Sequence, residues 1–345
     1  RRTRWPSQLP AVPKSGTVHH SGLHRFAWFT AFSTLILIVA GGLVTSTGSG
    51  LAVPDWPLSY GTLMPPMVGG IFFEHGHRMV ASFVGLLTVI LAVWAWRVVR
   101  RPWVRRLAFA ALGAVVCQGL LGGLTVIYLL PTSVSVSHAC LAQTFFCMTI
   151  ILASALGREG RSLTSQEGDV LEQVRTPALI LFGVVYVQLI LGALVRHTES
   201  GLAIPDFPLS FGHLVPPLSE LTTHPNAPYP MTLLELKQRV MTHYIHRVWA
   251  LGVVGVVFWF AWRVVQRASE LGSLVRIATT LVALVILQVL LGASVVWSQK
   301  SVAITTAHVA VGAMILGTCA MLVAKSRGWA PVTEHHGTSL VGEPA

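Results

Sequence analysis

The chain has 345 residues, 53% hydrophobic and only 11% charged, with a mean hydropathy of +0.67 and a formal net charge of +11. Soluble domains carry roughly a quarter charged residues, so this composition excludes a soluble globular protein. The basic excess would suit nucleic acid, but its placement along the chain, described below, argues for a membrane topology signal instead.

Residues 1–22 are polar and lack an apolar core, so no cleavable signal is expected there. Eight apolar windows follow, at 26–46, 76–97, 107–129, 135–156, 177–196, 243–263, 274–297 and 302–324. Each is long enough to cross a hydrocarbon core of about 30 Å as a helix. The runs are continuous rather than alternating, which predicts helices and not barrel strands. Six basic residues (Arg78, Arg196, Lys237, Arg239, Arg247, Lys300) fall on one side of the eight-span arrangement and the other eighteen on the opposite side. That bias predicts cytoplasmic N and C termini in a cell inner membrane, with attraction to anionic lipid and no nucleic-acid partner. Cys117, Cys140, Cys147 and Cys319 all fall inside the windows, which leaves no thiol for a disulfide in the outer loops.

The chain repeats itself. GGLVTSTGSGLAVPDWPLSYGTLMPP (41–66) and GALVRHTESGLAIPDFPLSFGHLVPP (192–217) agree at 17 of 26 positions, at an offset of 151. CQGLLGGLTVIYLLPTSVSVSHACLA (117–142) matches LQVLLGASVVWSQKSVAITTAHVAVG (287–312) at an offset of 170, the difference being an insertion in the loop 218–242. Each half is therefore four helices entering from the same side. The expectation is two pseudo-symmetric parallel four-helix bundles. Its parts are a cytoplasmic tail (1–23), an N-terminal half (24–157), a cytoplasmic linker (158–175), a C-terminal half (176–324) and a second tail (325–345). The repeated PDWPLS and PDFPLS loops read either as structural caps on each half or as lids, with Trp56 and Phe207 as interfacial anchors.

The repeat pairs the histidines. His77 corresponds to His246 and His138 to His308, so each half has one histidine opening its second helix and one opening its fourth. Ionisable residues inside spans usually face the bundle interior and mark function. Two imidazoles on facing helices suit axial ligation of a haem iron. Zinc would want further N, O or S donors, and only the first half offers one, Glu74. Copper stays open, without the Cys and Met donors of an electron-transfer site. Arg78 and Arg247 follow the ligand histidines, either as partners of haem propionates or snorkelling to the interface. Glu74 is three residues before His77, where the second half has His243. A carboxylate beside one site alone suggests proton handling there, the alternative being a structural carboxylate at a helix start. His75 points to another face and is expected at the interface; His243 reads as an orienting or structural group.

Eight spans in two halves, Glu-x-x-His-Arg in the second span, single histidines in the fourth, sixth and eighth, and the paired SGLAVPDWPLSYG loops together resemble the haem A synthase family. The resemblance implies oxidation of the C8 methyl of haem O to a formyl group by two successive hydroxylations and loss of water. It implies that His77 and His138 flank the substrate haem, with Arg78 nearby. It implies that His246 and His308 ligate a haem b cofactor, and that Glu74 is the catalytic carboxylate. Haem O synthase is an expected partner through substrate hand-over; the electron acceptor is not specified by the residues, and a homo-oligomer is compatible with them. Many bacterial members have loop cysteines where this chain has Val53, Ser59, Ile204 and Ser210. The readings from other classes are a di-haem membrane cytochrome b that only passes electrons and a haem carrier.

Overall fold

The computed structural model describes residues 21–157, 165–223, 231–268 and 271–329. Eight long helices are present, each long and apolar enough to cross a membrane: α1 (Ser21–Ser46), α2 (Gly69–Val98), α3 (Pro102–Ile127), α4 (Thr132–Ala155), α5 (Ser165–His197), α6 (Leu233–Arg267), α7 (Gly272–Trp297) and α8 (Val302–Ser326). No strand is found among the described residues, so the all-α expectation holds. Most of the two tails lies outside the described residues.

Several ends follow from local chemistry. Pro102 opens α3 at a position whose N–H has no helical acceptor anyway. Thr232 and Glu235 form a reciprocal capping box at the start of α6, with the Thr232 side chain accepting from the Glu235 N–H at 3.2 Å. The α3–α4 and α7–α8 connections are built alike. Leu129 and Leu130 adopt φ of 58° and 61°, and their repeat counterparts Gln299 and Lys300 adopt 53° and 62°. The Leu130 N–H donates to Thr125 O at 2.7 Å, and that of Lys300 to Val295 O at 2.8 Å. This closes the last turn of each helix on a left-handed pair.

Three helices start seven or more residues before their apolar windows. α2 begins seven residues before its window and α6 ten residues before. His77 and His246 therefore lie inside their helices rather than at the openings. Glu74 is the sixth residue of α2, past the first turn, so a helix-start role for it is excluded. α5 runs from Ser165 through Pro177, so much of the expected 158–175 linker is helix. Apolar windows count only residues that belong in lipid, whereas these helices continue through polar turns held by the loops.

Within each half the helices close a ring: α1–α2–α3–α4–α1 and α5–α6–α7–α8–α5. The rings meet through α1–α8, α4–α8 and α4–α5, so repeat-related helices make matching contacts. Separate apolar cores fill the two rings; Leu91, Phe145 and Leu152 are fully buried in the first, and Leu181, Phe260 and Leu281 in the second. Phe146 of α4 packs at the seam with Ile38 and Ala313. A Cβ on Gly317 would lie 2.8 Å from the Phe146 ring, so close contact of α8 with α4 requires that glycine. Large apolar side chains such as Phe83, Trp96, Leu251 and Trp262 stay exposed on the outer faces of α2 and α6, as lipid contact demands.

Candidate functional site

Four histidine rings sit deep in the two helix rings, each half-buried and so still open on part of its surface. Each lies edge-on against a glycine of a neighbouring helix. A Cβ built on Gly41 (α1) would stand 3.1 Å from Cε1 of His77, and one on Gly122 (α3) 3.2 Å from Cε1 of His138. In the second half a Cβ on Gly192 (α5) would stand 3.3 Å from Cε1 of His246, and one on Gly292 (α7) 3.2 Å from Cε1 of His308. The glycines are repeat-related, at offsets of 151 and 170, and so are the histidines, at 169 and 170. All four helices of each half thus build its site, two giving a histidine and two giving the bare backbone it leans on. His77 and His138 are within electrostatic reach of each other, as are His246 and His308. Nδ1 of His77, His138 and His308 is buried without a hydrogen-bond partner.

Glutamines separate the halves. Gln188 of α5 contacts the His246 ring at 3.2 Å and donates to the His246 carbonyl oxygen at 3.2 Å. Gln288 of α7 contacts Nε2 of His308 at 3.5 Å. Its counterpart Gln118 reaches only the backbone oxygen of His138, at 2.9 Å, and the counterpart of Gln188 is Leu37. Among the described residues, no side chain hydrogen-bonds to the ring of His77 or His138.

The repeated loops are clamped over these sites in the same way twice. Asp55 accepts from the N–H groups of Tyr60 (2.6 Å) and Gly61 (2.8 Å), and Asp206 from Phe211 (2.7 Å) and Gly212 (2.8 Å). The Gly61 N–H, followed by that of Tyr60, holds the Asp55 carboxyl below its ordinary value. Burial opposes this at Asp206, but its loop N–H groups win and the value is again lowered. Arg78 donates to the carbonyls of Asp55 (2.8 Å) and Leu58 (2.9 Å); Arg247 donates to those of Asp206 (2.8 Å) and Leu209 (3.0 Å). Both guanidiniums expected near haem propionates thus spend most of their donors on the loops. The Trp56 ring lies on α3, where a Cβ at Gly123 would stand 2.6 Å away, next to the glycine that supports His138. Phe207 meets Trp297 of α7 edge-on at 5.9 Å.

Glu74 is buried and joins this clamp. Its two oxygens accept from the Val53 N–H (2.8 Å) and, in an ion pair, from Arg78 Nη2 (2.7 Å). His243 takes its place in the second half, with Nδ1 3.4 Å from the Ile204 N–H and Nε2 3.1 Å from Arg247 Nε. A carboxylate accepts both bonds at once, whereas a neutral imidazole has one acceptor nitrogen and can accept only one. The first loop is therefore the more firmly tied. His75 is buried, not interfacial; its Nδ1 is 2.8 Å from Ser59 Oγ, under the loop. Val53, Ser59, Ile204 and Ser210 are all buried in the loops.

Sequence reasoning found the histidines, Glu74 and the arginines but missed the glycines and glutamines. Their signal was present: Gly41/Gly192, Gly122/Gly292 and Gln118/Gln288 all lie inside the two repeated blocks.

The chain matches the family model for cytochrome oxidase assembly protein, COX15-CtaA, over residues 24–71 and 68–320. It is 29% identical over 316 residues to the heme A synthase of Halalkalibacterium halodurans, covering 88% of this chain and 97% of that protein. It is 28% identical to the heme A synthase of Alkalihalophilus pseudofirmus, covering 84% and 92%. A shorter stretch of 202 residues is 32% identical to the heme A synthase of Shouchella clausii, covering 57% of this chain and 66% of that protein. With nearly its whole helical body matched, this chain belongs to the COX15-CtaA family of cytochrome oxidase assembly proteins.

Proposed function

We propose that the protein is a haem A synthase, a membrane oxidoreductase that converts the C8 methyl of haem O to a formyl group. The observation that carries this is the set of four half-buried histidine rings, paired within each helix ring and each laid on a repeat-matched glycine, in a chain whose relatives bear that name. The donor set fits haem better than a bare ion. Among the described residues, no three His, Cys, Asp or Glu side chains converge as a metal cluster, while each half offers two facing imidazoles. Haem O is the substrate, which His77 and His138 would hold in the N-terminal half; His246 and His308 would hold haem b in the C-terminal half. Haem b, when bound, supplies a one-electron carrier.

The chain's own residues do the rest. Glu74, three residues before His77, handles protons at the substrate side, and its contacts to Val53 and Arg78 hold the loop shut. Arg78 and Arg247 act through the loops they clamp, leaving their remaining N–H groups for propionates. The loops cover part of each site and limit water there, which strengthens the electrostatic contacts beneath them. The termini are cytoplasmic and the loop end faces outward in the cell membrane, where haem O synthase passes on the substrate.

The test is to extract haems from cells that make haem O, with and without this protein, and identify them by mass. Haem A that appears only with the protein is the expected result. Unchanged haem O beside two stable haems would mean an electron-transfer cytochrome, and would overturn the proposal.

A further inference from the structure

Arg196 is the unexplained charge of the molecule. It lies in the last turn of α5, half-buried, and no acidic side chain among the described residues pairs with it. An arginine at a helix end ordinarily snorkels to water or meets the carbonyls of its own last turn. This one turns across the seam instead. Its Nη2 donates to Gly42 O at 2.6 Å and Ser46 Oγ at 2.8 Å, both on α1. The Thr306 hydroxyl of α8, two residues before His308, in turn donates to Ser46 Oγ at 3.3 Å. The guanidinium is thus fixed where α1, α5 and α8 meet, within electrostatic reach of His308.

The face of α5 shows what it serves. Gln188, Gly192 and Arg196 recur every four residues and share one side of the helix. Gln188 contacts the His246 ring and Gly192 underlies it. Arg196 is one turn further toward the loop end, about 6 Å along the axis. Its Nε and Nη1 have no recorded protein partner among the described residues, and neither is a buried orphan. A cation placed in a low-dielectric seam without a counter-ion is costly unless an anion joins it.

We propose that Arg196 anchors a carboxylate of the porphyrin held by His246 and His308, a haem propionate in the reading of the second site given above, on which this proposal rests. The first half has no such anchor: the equivalent residue is Thr45, whose hydroxyl donates back to Gly41 O at 3.1 Å. A fixed cofactor gains from a charge-assisted contact that a departing product does not need.

The test uses full-length protein in detergent, as wild type, Arg196→Gln and Arg196→Lys. Haem-free protein is reconstituted with iron protoporphyrin IX or with its dimethyl ester, which has no carboxylate. Wild type should prefer the free acid by roughly tenfold to a hundredfold, the range of one charged hydrogen bond. Arg196→Gln should lose that preference, release haem b correspondingly faster to apomyoglobin, and show a lower midpoint potential, because a nearby positive charge has been removed. Arg196→Lys should fall between them. If Arg196→Gln does not fold, Arg196→Lys carries the comparison: a preference reduced from that of wild type is expected, and an unchanged one overturns the proposal. Haem b bound with no preference for the free acid overturns the proposal alone. Wild type that binds no protohaem overturns it together with the reading beneath it.

Discussion

Valine at Gly292 is a direct test of how the second pair of histidines is held. A single Cβ there would stand 3.2 Å from His308 Cε1, a few tenths of an ångström inside ordinary contact. For Gly292→Ala, that strain is opposed by the better helix propensity of alanine, about 1 kcal/mol. The two effects nearly cancel, so alanine should keep haem b, with a small spectral change as the ring tilts. Valine adds two methyl groups about 1.5 Å beyond the Cβ and has poorer helix propensity. The ring must then move by more than 1 Å, or α7 must part from α8. Overpacking of this kind typically costs 1–3 kcal/mol, roughly ten- to a hundredfold in haem affinity. Pyridine haemochrome and reduced-minus-oxidised spectra of purified protein are the assay. Gly122→Val is the control, since it crowds His138 by the same 3.2 Å geometry and should spare haem b while abolishing haem A. Full haem b with an unaltered spectrum in Gly292→Val would refute the view that bare backbone sets the ring position.

Two further outcomes are expected. Glu74→Gln should keep haem b and reduce haem A by about 10²–10⁴-fold in rate, whereas Arg78→Gln, which loosens the same loop but leaves the carboxylate, should reduce it far less; equal losses would make Glu74 a clamp and nothing more. A reporter fused after Arg327 should behave as cytoplasmic, and a periplasmic signal would reverse the side assigned to both loops.

The large features were legible because they rest on composition and recurrence. Eight apolar windows specify eight spans, and the internal repeat, at an offset of 169 or 170, finds each histidine pair without knowledge of the fold. What escaped depends on partners far apart in sequence. Nothing local shows that Gly41 and Gly192 lie beneath histidines of the next helix, because a glycine in an apolar run is unremarkable until its neighbour is known. The loop contacts of Arg78 escaped for a related reason. An arginine after a candidate ligand histidine invites a propionate, and nothing local shows that it also donates to carbonyls twenty or more residues upstream. The starts of α2 and α6 were missed because their first two turns are held by loop contacts rather than by lipid.

The departures from the repeat run in one direction. Both halves keep the histidine, its glycine, the loop and the arginine clamp, so the scaffold alone cannot give them different tasks. The substitutions around it can. On the second side, Leu37 becomes Gln188, Thr45 becomes Arg196, and Gln288 reaches the ring where Gln118 stops at the backbone. Each of these adds a polar hold on a bound group or its ligand. On the first side neither ring has a side-chain hydrogen-bond partner among the described residues, and the carboxylate of Glu74 stands where the second has His243. A site that must release its porphyrin after each turnover is served by few holds and a nearby proton acceptor. A site that must keep its porphyrin is served by the reverse, and acid–base chemistry beside it would be of no use. The direction of these changes, rather than any single residue, is what places the exchanging haem with His77 and His138 in this proposal, and the ester and valine experiments test its two halves separately.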